Sequence, residues 1–312
     1  MILQSMAVEK NILAAYGPTR RFHFSPRLGV QVQLPSPSAI AAQCEVLRCE
    51  GGSSTAAWEV HEPSGLKIGV MVAGNSGRPG GSCGDRDIVK SIHEQHRTHE
   101  EDMFSNWILT EAGKDPVKQN NLYISTINKF WGMKLLHSTE PDTFQGVNYK
   151  ETVSPMDFAD AWVVRNTLLS VKQRSLHSKN ARRSKTVRPT YVFDSRRTVK
   201  CTLVFCAGPN AAGANHSSHG SMARTFNKRA AHHYPFFRDC VSCALRAGLD
   251  AMINEEIKIA IVAKLSCGAY SGPHRRRINE EFEDIVNQLL RERLGVSTRG
   301  HYFDRVIVPE LA

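Results

Sequence analysis

Three stretches of this chain are apolar almost without interruption, and each runs straight into a loop of glycines and small residues. They are "LKIGVMVA" (66–73) before "GNSGRPGGSCG", "KCTLVFCA" (200–207) before "GPNAAGANHSSHGS", and "IKIAIVAKL" (257–265) before "SCGAYSGP". A short, continuously apolar run fits a strand buried on both faces, as parallel strands are when helices cover the sheet. Each loop then gives way to a helical period. After the first come Ile88, Ile92, His96, His99, Met103 and Trp107, in a helix predicted from Asp85. After the second come Phe237, Val241, Leu245, Leu249 and Met252, and after the third Ile278, Phe282, Ile285 and Leu289. Right-handed crossovers place such loops along the carboxyl edge of the sheet, where they converge on one ligand. Flexible backbone leading into a helix start suits a phosphate, because N–H groups face an anion there.

The rest of the chain is read around these units. "RLGVQVQL" (27–34) alternates like a strand, and "SPSAIAAQCEVLRCE" (36–50) predicts a helix capped by Ser36 or Ser38. "EGGSSTAAWEVHEPSG" (50–65) is expected to be a loop, and "YFDRVIVPEL" (302–311) a final strand. Residues 113–165 are mixed in character. At 312 residues, 41% hydrophobic and 22% charged, the chain suits a globular protein with a large core. It contains no apolar run of membrane-spanning length and does not open like a signal peptide, so no membrane partner is expected. Eight cysteines are too sparse for a disulfide scaffold, which predicts a reducing compartment, cytoplasmic or nuclear. Cys240 and Cys243 form a CxxC but share the apolar helical pattern of Val241 and Leu245, so they are read as core.

The net charge of +10 favours anionic partners, and it is concentrated in "KQRSLHSKNARRSKTVRP" (172–189), rich in Lys and Arg and without an acid. This run is predicted to be a flexible basic insertion, available to contact a polyanion. None of the three loops fits the P-loop pattern or the dinucleotide fingerprint, which argues against those nucleotide folds.

What the loops do resemble is the macrodomain superfamily, in its microbial-type poly(ADP-ribose) glycohydrolase branch. "NSGRPGGS" (75–82) is similar to that family's loop ending P-G-G-G, with Ser82 in place of the third glycine. "HEED" (99–102) is similar to its Q-E-E segment, with His99 in place of glutamine. "AGPNAAGAN" (207–215) resembles the P-x-N-A-G-A loop and "KLSCGAYSG" (264–272) the G-x-x-G-x-[FY]-G loop. The resemblance spans about residues 65–295 in family order. It implies a three-layer α/β/α macrodomain-like fold with a mixed central sheet, an N-terminal extension (1–25), and a catalytic domain (26–312) carrying insertions.

It also implies ADP-ribose or an ADP-ribosylated protein as partner, and an ADP-ribosyl hydrolase with no cofactor and no obligatory metal. Cleavage at the distal ribose C1″ passes through an oxocarbenium-like transition state and needs an acid or base beside it. By family position Glu101 takes that role and Glu100 holds ribose hydroxyls. Asn75, Gly80, Gly81, Ser82, Asn210 and Ala211 would line the ligand. Ser266, Cys267, Gly268, Ala269, Tyr270, Ser271 and Gly272 would wrap the diphosphate, with Tyr270 over the distal ribose. A second registration sets "GGSCGDRDIVKSIH" (80–93) beside the G-G-G-V-D-G-x-I-H segment of mono-ADP-ribosyl hydrolase macrodomains, giving the acid's role to Asp85 or Asp87. An unbroken helix from Asp85 would carry Glu101 about 24 Å along its axis, so Glu101 as the acid requires a break within 87–98. Three rival readings remain. The chain can be a non-catalytic ADP-ribose reader, or a nucleic-acid binder acting through 172–189. It can also be a metal-dependent hydrolase using His93, His96 and His99 with Glu100 or Asp85, while Cys83 or Cys267 as nucleophile is the weakest alternative.

Overall fold

The computed structural model describes residues 19–23, 46–49, 51–61, 65–74, 99–113, 115, 117–119, 121–122, 160–174, 191–212, 229–294 and 296–310. Seven strands form the main sheet: β1 (Thr19–His23), β2 (Val46–Cys49), β3 (Ile68–Gly74), β4 (Asp160–Arg174), β5 (Tyr191–Ala207), β6 (Ile259–Ile261) and β9 (Arg305–Pro309). Their order across the sheet is β1-β4-β5-β3-β6-β9-β2. The block β5-β3-β6-β9-β2 is parallel, while β1 and β4 add antiparallel pairings on one side. Strands β7 (Arg293–Leu294) and β8 (Ser297–Thr298) make a separate small hairpin.

Helices α1 (Ser53–His61) and α2 (His99–Ala112) cover one face, and α3 (Tyr234–Asn254) and α4 (Arg275–Arg291) the other. The alternation of strand side chains divides the core in two. Val70 and Val72 of β3, with Leu203 and Phe205 of β5, pack with Ala56, Ala57, Met103, Phe104 and Trp107. Met71, Val204 and Cys206 point the other way, onto Phe237, Val241, Leu245, Phe282 and Ile285. Burial on both sides is why these strands lack polar alternation, and the expected three-layer α/β/α architecture with a mixed sheet is the one observed. Every apolar position predicted for α3 and α4 is buried.

Several local expectations are corrected. The helix expected over 36–50 is not formed at 46–49, which are β2, the edge strand beside β9. Leu47 there is 45% exposed and Arg48 pairs outward with Glu283, so the segment has no buried stripe of its own and takes its form from the neighbouring strand. The loop expected over 50–65 contains α1. Its buried face is Ser53, Ser54, Ala56 and Ala57, small residues that let the helix lie close on the sheet but give little periodic signal. The strand expected over 257–265 is only Ile259–Ile261. Thr19–His23, inside the segment set apart as an extension, is a strand of the sheet. The expected strand 27–34 lies outside the described residues.

The β4–β5 ribbon bends. Its register is irregular between Val164 and Thr167 and again between Ser170 and Val171, with Asn166 at φ 58°. Bulges of this kind deflect a strand and increase its twist. From Leu168 on, β4 runs along α2. Leu168 N–H donates to Glu111 Oε1 at 3.1 Å, Ser170 and Asn106 exchange two hydrogen bonds of 2.8 Å, and Lys172 Nζ lies 2.7 Å from Asp102 Oδ1. The first residues of the basic run, Lys172 to Arg174, therefore end a strand, a correction to the flexible insertion; 175–189 lie outside the described residues. Among the described residues, no helix is long and apolar enough to cross a membrane, and the six cysteines are free thiols.

Candidate active site

The parallel strands β5 and β3 end level at Ala207 and Gly74, and β6 runs in the same direction beside β3 as far as Val70, so the loops that follow all three leave toward one edge. Two of these loops are locked together. Ser266, in the left-handed conformation at φ 54°, donates its hydroxyl to the Pro209 carbonyl at 2.9 Å. A Cβ at Gly208 would stand 2.2 Å from Ser266 Oγ, so glycine is required for that approach. Ala211 N–H donates to the Tyr270 carbonyl at 2.7 Å. Asn210 Oδ1 accepts from Ala212 N–H at 3.0 Å, fixing the turn from within. Asn279 of α4 donates to the Cys267 carbonyl at 2.9 Å and ties the second loop to its helix. Tyr270 is 37% exposed at this rim.

The third contribution comes from α2. Glu100 is buried, and its Oε1 lies 3.4 Å from where a Cβ on Gly74 would sit, beside the Cys206 carbonyl. A carboxylate therefore stands over the end of β3. His99 is held from two sides: its Nδ1 accepts Ala73 N–H at 3.2 Å, and its Nε2 meets Ser53 Oγ at 2.8 Å. Burial of the ring lowers its pKa to about 4; Asp102 opposes this and Lys172 reinforces it. The ring is neutral at pH 7.

Several of the expected site residues fall at this edge. Asn210, Ala211 and residues 266–272 are brought together at one edge, with Glu100 at the neighbouring strand end. Glu101 follows Glu100 on α2, about 100° further round the helix. Asn75, Gly80, Gly81, Ser82, Cys83, Asp85, Asp87, His93 and His96 lie outside the described residues, as does the break expected within 87–98. His99 is corrected as a candidate zinc ligand, because both ring nitrogens are committed to Ala73 and Ser53. Among the described residues, no group of three or more His, Cys, Asp or Glu is placed to hold a metal ion. Cys267 is corrected as a nucleophile: burial pushes its thiol up to about 12, with Lys264 opposing, and its Sγ is turned onto the Leu265 carbonyl. Cys240 and Cys243 lie in and against the core of α3, as read. The contributions of Ser53, Gly208 and Asn279 were missed; only Gly208, inside a small-residue loop, carried a signal.

No protein-family model matches the sequence, and no curated protein matches it. Solved structures do. The chain is similar to poly(ADP-ribose) glycohydrolase from Thermomonospora curvata, with a TM-score of 0.50 and 11% identity over 98% of this chain and 90% of that one. It is also similar to the glycohydrolase from Deinococcus radiodurans in complex with ADP-ribose, with a TM-score of 0.48 and 12% identity over 96% and 90%. The seven-stranded sheet, its two helical layers and its chain-wide match to the Thermomonospora structure make this a macrodomain-like fold of the kind found in bacterial poly(ADP-ribose) glycohydrolases.

Proposed function

We propose that this chain is an ADP-ribosyl hydrolase, binding ADP-ribose across the carboxyl edge of β5, β3 and β6 and cleaving the bond at its distal ribose C1″ with water. The observation that carries the reading is the convergence of three parts at one edge. The loops after β5 and β6 are pinned together, and beside them a buried carboxylate stands over the end of β3. A backbone-rich double loop suits a diphosphate, and an acid close by is what an oxocarbenium-like transition state requires.

In this reading residues 266–272 wrap the diphosphate and Tyr270 closes over the distal ribose. Glu100, already buried against the strand ends, holds ribose hydroxyls. Glu101, next on α2, exchanges the proton with the leaving group or the attacking water. The solved relatives in fold are named as poly(ADP-ribose) glycohydrolases, which supports polymer or polymer-modified protein as substrate. The start of the basic run, on β4, meets α2 at the Lys172–Asp102 ion pair.

The test is direct. ADP-ribose at 100 times its Kd adds about 2.7 kcal/mol to folding stability, so it raises Tm while AMP raises it less. The chain releases ADP-ribose from mono- or poly-ADP-ribosylated protein. Glu101→Gln lowers turnover by about 10²–10⁴-fold, with ADP-ribose affinity kept within a few-fold. Binding without turnover in the unaltered chain makes it a reader. Normal turnover in Glu101→Gln beside a dead Asp85→Asn moves the acid to Asp85. No Tm shift at millimolar ADP-ribose overturns the proposal.

A further inference from the structure

The His99 side chain is the point where three elements meet near the candidate site. It belongs to α2, it accepts a backbone N–H from Ala73 near the end of β3, and its other nitrogen faces Ser53 at the start of α1. Strand β6 accompanies β3 only as far as Val70, and beyond that point the Ala73 N–H is taken by the His99 ring. The next residue on each partner, Gly74 on the strand and Glu100 on the helix, brings the buried carboxylate to the strand end.

We infer that His99 is a positioning residue for the adjacent carboxylates, tying α2 to β3 and α1 as the neutral Nε2–H imidazole and thereby holding Glu100 over Gly74. This rests on the proposed hydrolase reading. The tautomer follows from the bonds. Nδ1 accepts from a backbone N–H, so it bears no proton, and the ring proton sits on Nε2 and is donated to Ser53 Oγ. Protonation would set an N–H on Nδ1 against the N–H of Ala73, donor against donor, and break the tie. Burial, rather than the charged groups acting on the ring, keeps it neutral. Asp102, from α2 itself, favours the proton; Lys172, from β4, disfavours it; burial acts with Lys172 and outweighs Asp102. A glutamine can reproduce one acceptor and one donor without titrating, whereas alanine supplies neither. The same geometry thus separates a positioning role from mere space-filling.

The experiment uses the full chain with ¹⁵N-labelled histidine, alongside His99→Ala and His99→Gln. The His99 ring is expected to show the Nε2–H tautomer from pH 8 down to about pH 5, instead of titrating near the ordinary value of about 6.5. His99→Ala is expected to speed solvent exchange of the Ala73 amide and shift the Glu100 carboxyl carbon. It lowers kcat at least about tenfold, with ADP-ribose affinity within about threefold. His99→Gln restores the exchange rate, the carboxyl shift and the kcat, and it keeps the test open if the alanine variant does not fold. A ring that titrates normally, or an alanine variant with unaltered Glu100 shift and kcat, overturns the inference. A chain that cleaves no ADP-ribose linkage yet shows the tautomer and the Glu100 shift refutes the hydrolase reading and upholds the positioning.

Discussion

Replacing Gly272 with alanine should unlock the two loops of the candidate site, while the same change at Gly268 should leave them locked and block the ligand. Gly272 has φ 53° and ψ −127°, a region that side-chain-bearing residues occupy at a cost of about 1–3 kcal/mol. Its Cβ would stand 2.1 Å from the Ala211 carbonyl oxygen and 2.5 Å from the carbonyl carbon. These are backbone atoms, so no rotamer change relieves the contact. The loops must separate, and the 2.7 Å bond from Ala211 N–H to the Tyr270 carbonyl is lost, for about another 1 kcal/mol. The sum is about 3 kcal/mol. With an unfolding entropy of about 2.1 cal/mol/K per residue, that lowers Tm by about 5 °C for a chain of 312 residues. Gly268 is the contrast, because no atom lies within 4 Å of its Cβ direction. Gly268→Ala should keep Tm within about 1 °C, as exposed substitutions do. On the proposed binding mode it should weaken ADP-ribose binding about tenfold or more, because the methyl group would stand where backbone approaches the diphosphate. Differential scanning fluorimetry and calorimetric titration measure both quantities. A Gly272→Ala chain with unaltered Tm would refute the locked-loop account, and unaltered affinity in Gly268→Ala would place the ligand elsewhere.

The low pKa of His99 has a stability consequence of definite sign. Between about pH 6.5 and 4 the unfolded chain takes up a proton that the folded ring refuses, so stability falls as pH falls through that window. The loss from this residue is about 2 kcal/mol at pH 5, so acidification from pH 8 to 5 should lower the wild-type Tm by about 3 °C more than that of His99→Gln. Superimposable Tm–pH curves would refute it. Arg299 is 4% exposed and bridges Asp250 at 2.6 Å and Glu292 at 2.6 Å. Arg299→Ala strands the Asp250 carboxylate, whose pKa burial already raises, and should cost about 3–5 kcal/mol, with Asp250→Asn recovering part of it. A double variant no more stable than Arg299→Ala would contradict this.

The parts of the fold legible in the sequence are those whose signal is local. Val70 and Val72 belong to one core layer and Met71 to the other, so burial on both faces wrote itself as an unbroken apolar run. Helices α3 and α4 carry their own buried stripe in Phe237, Val241 and Leu245, and in Ile278, Phe282 and Ile285. The double loop was legible for a related reason, since Gly208, Ser266 and Gly272 are the small residues that close approach demands. What escaped depends on partners distant in the chain. Helix α1 buries serines and alanines, which read as a loop until the sheet beneath them is known. Strand β2 is made by β9, some 260 residues later. The work of His99 depends on Ser53 and Ala73, 46 and 26 positions away, and nothing in "HEED" announces either.

The pairing of Thr19–His23 with Asp160–Val164 also bears on how this molecule would meet its own copies. A strand with one side unpaired offers its N–H and C=O groups as a template to any extended segment it meets. Along Asp160–Val164 that side is occupied by the five residues of β1, a strand too short to be a good template itself. A chain trimmed at residue 25 would keep the core and both locked loops yet bare the flank of β4. Its failing would then be self-association through strand addition, growing with concentration.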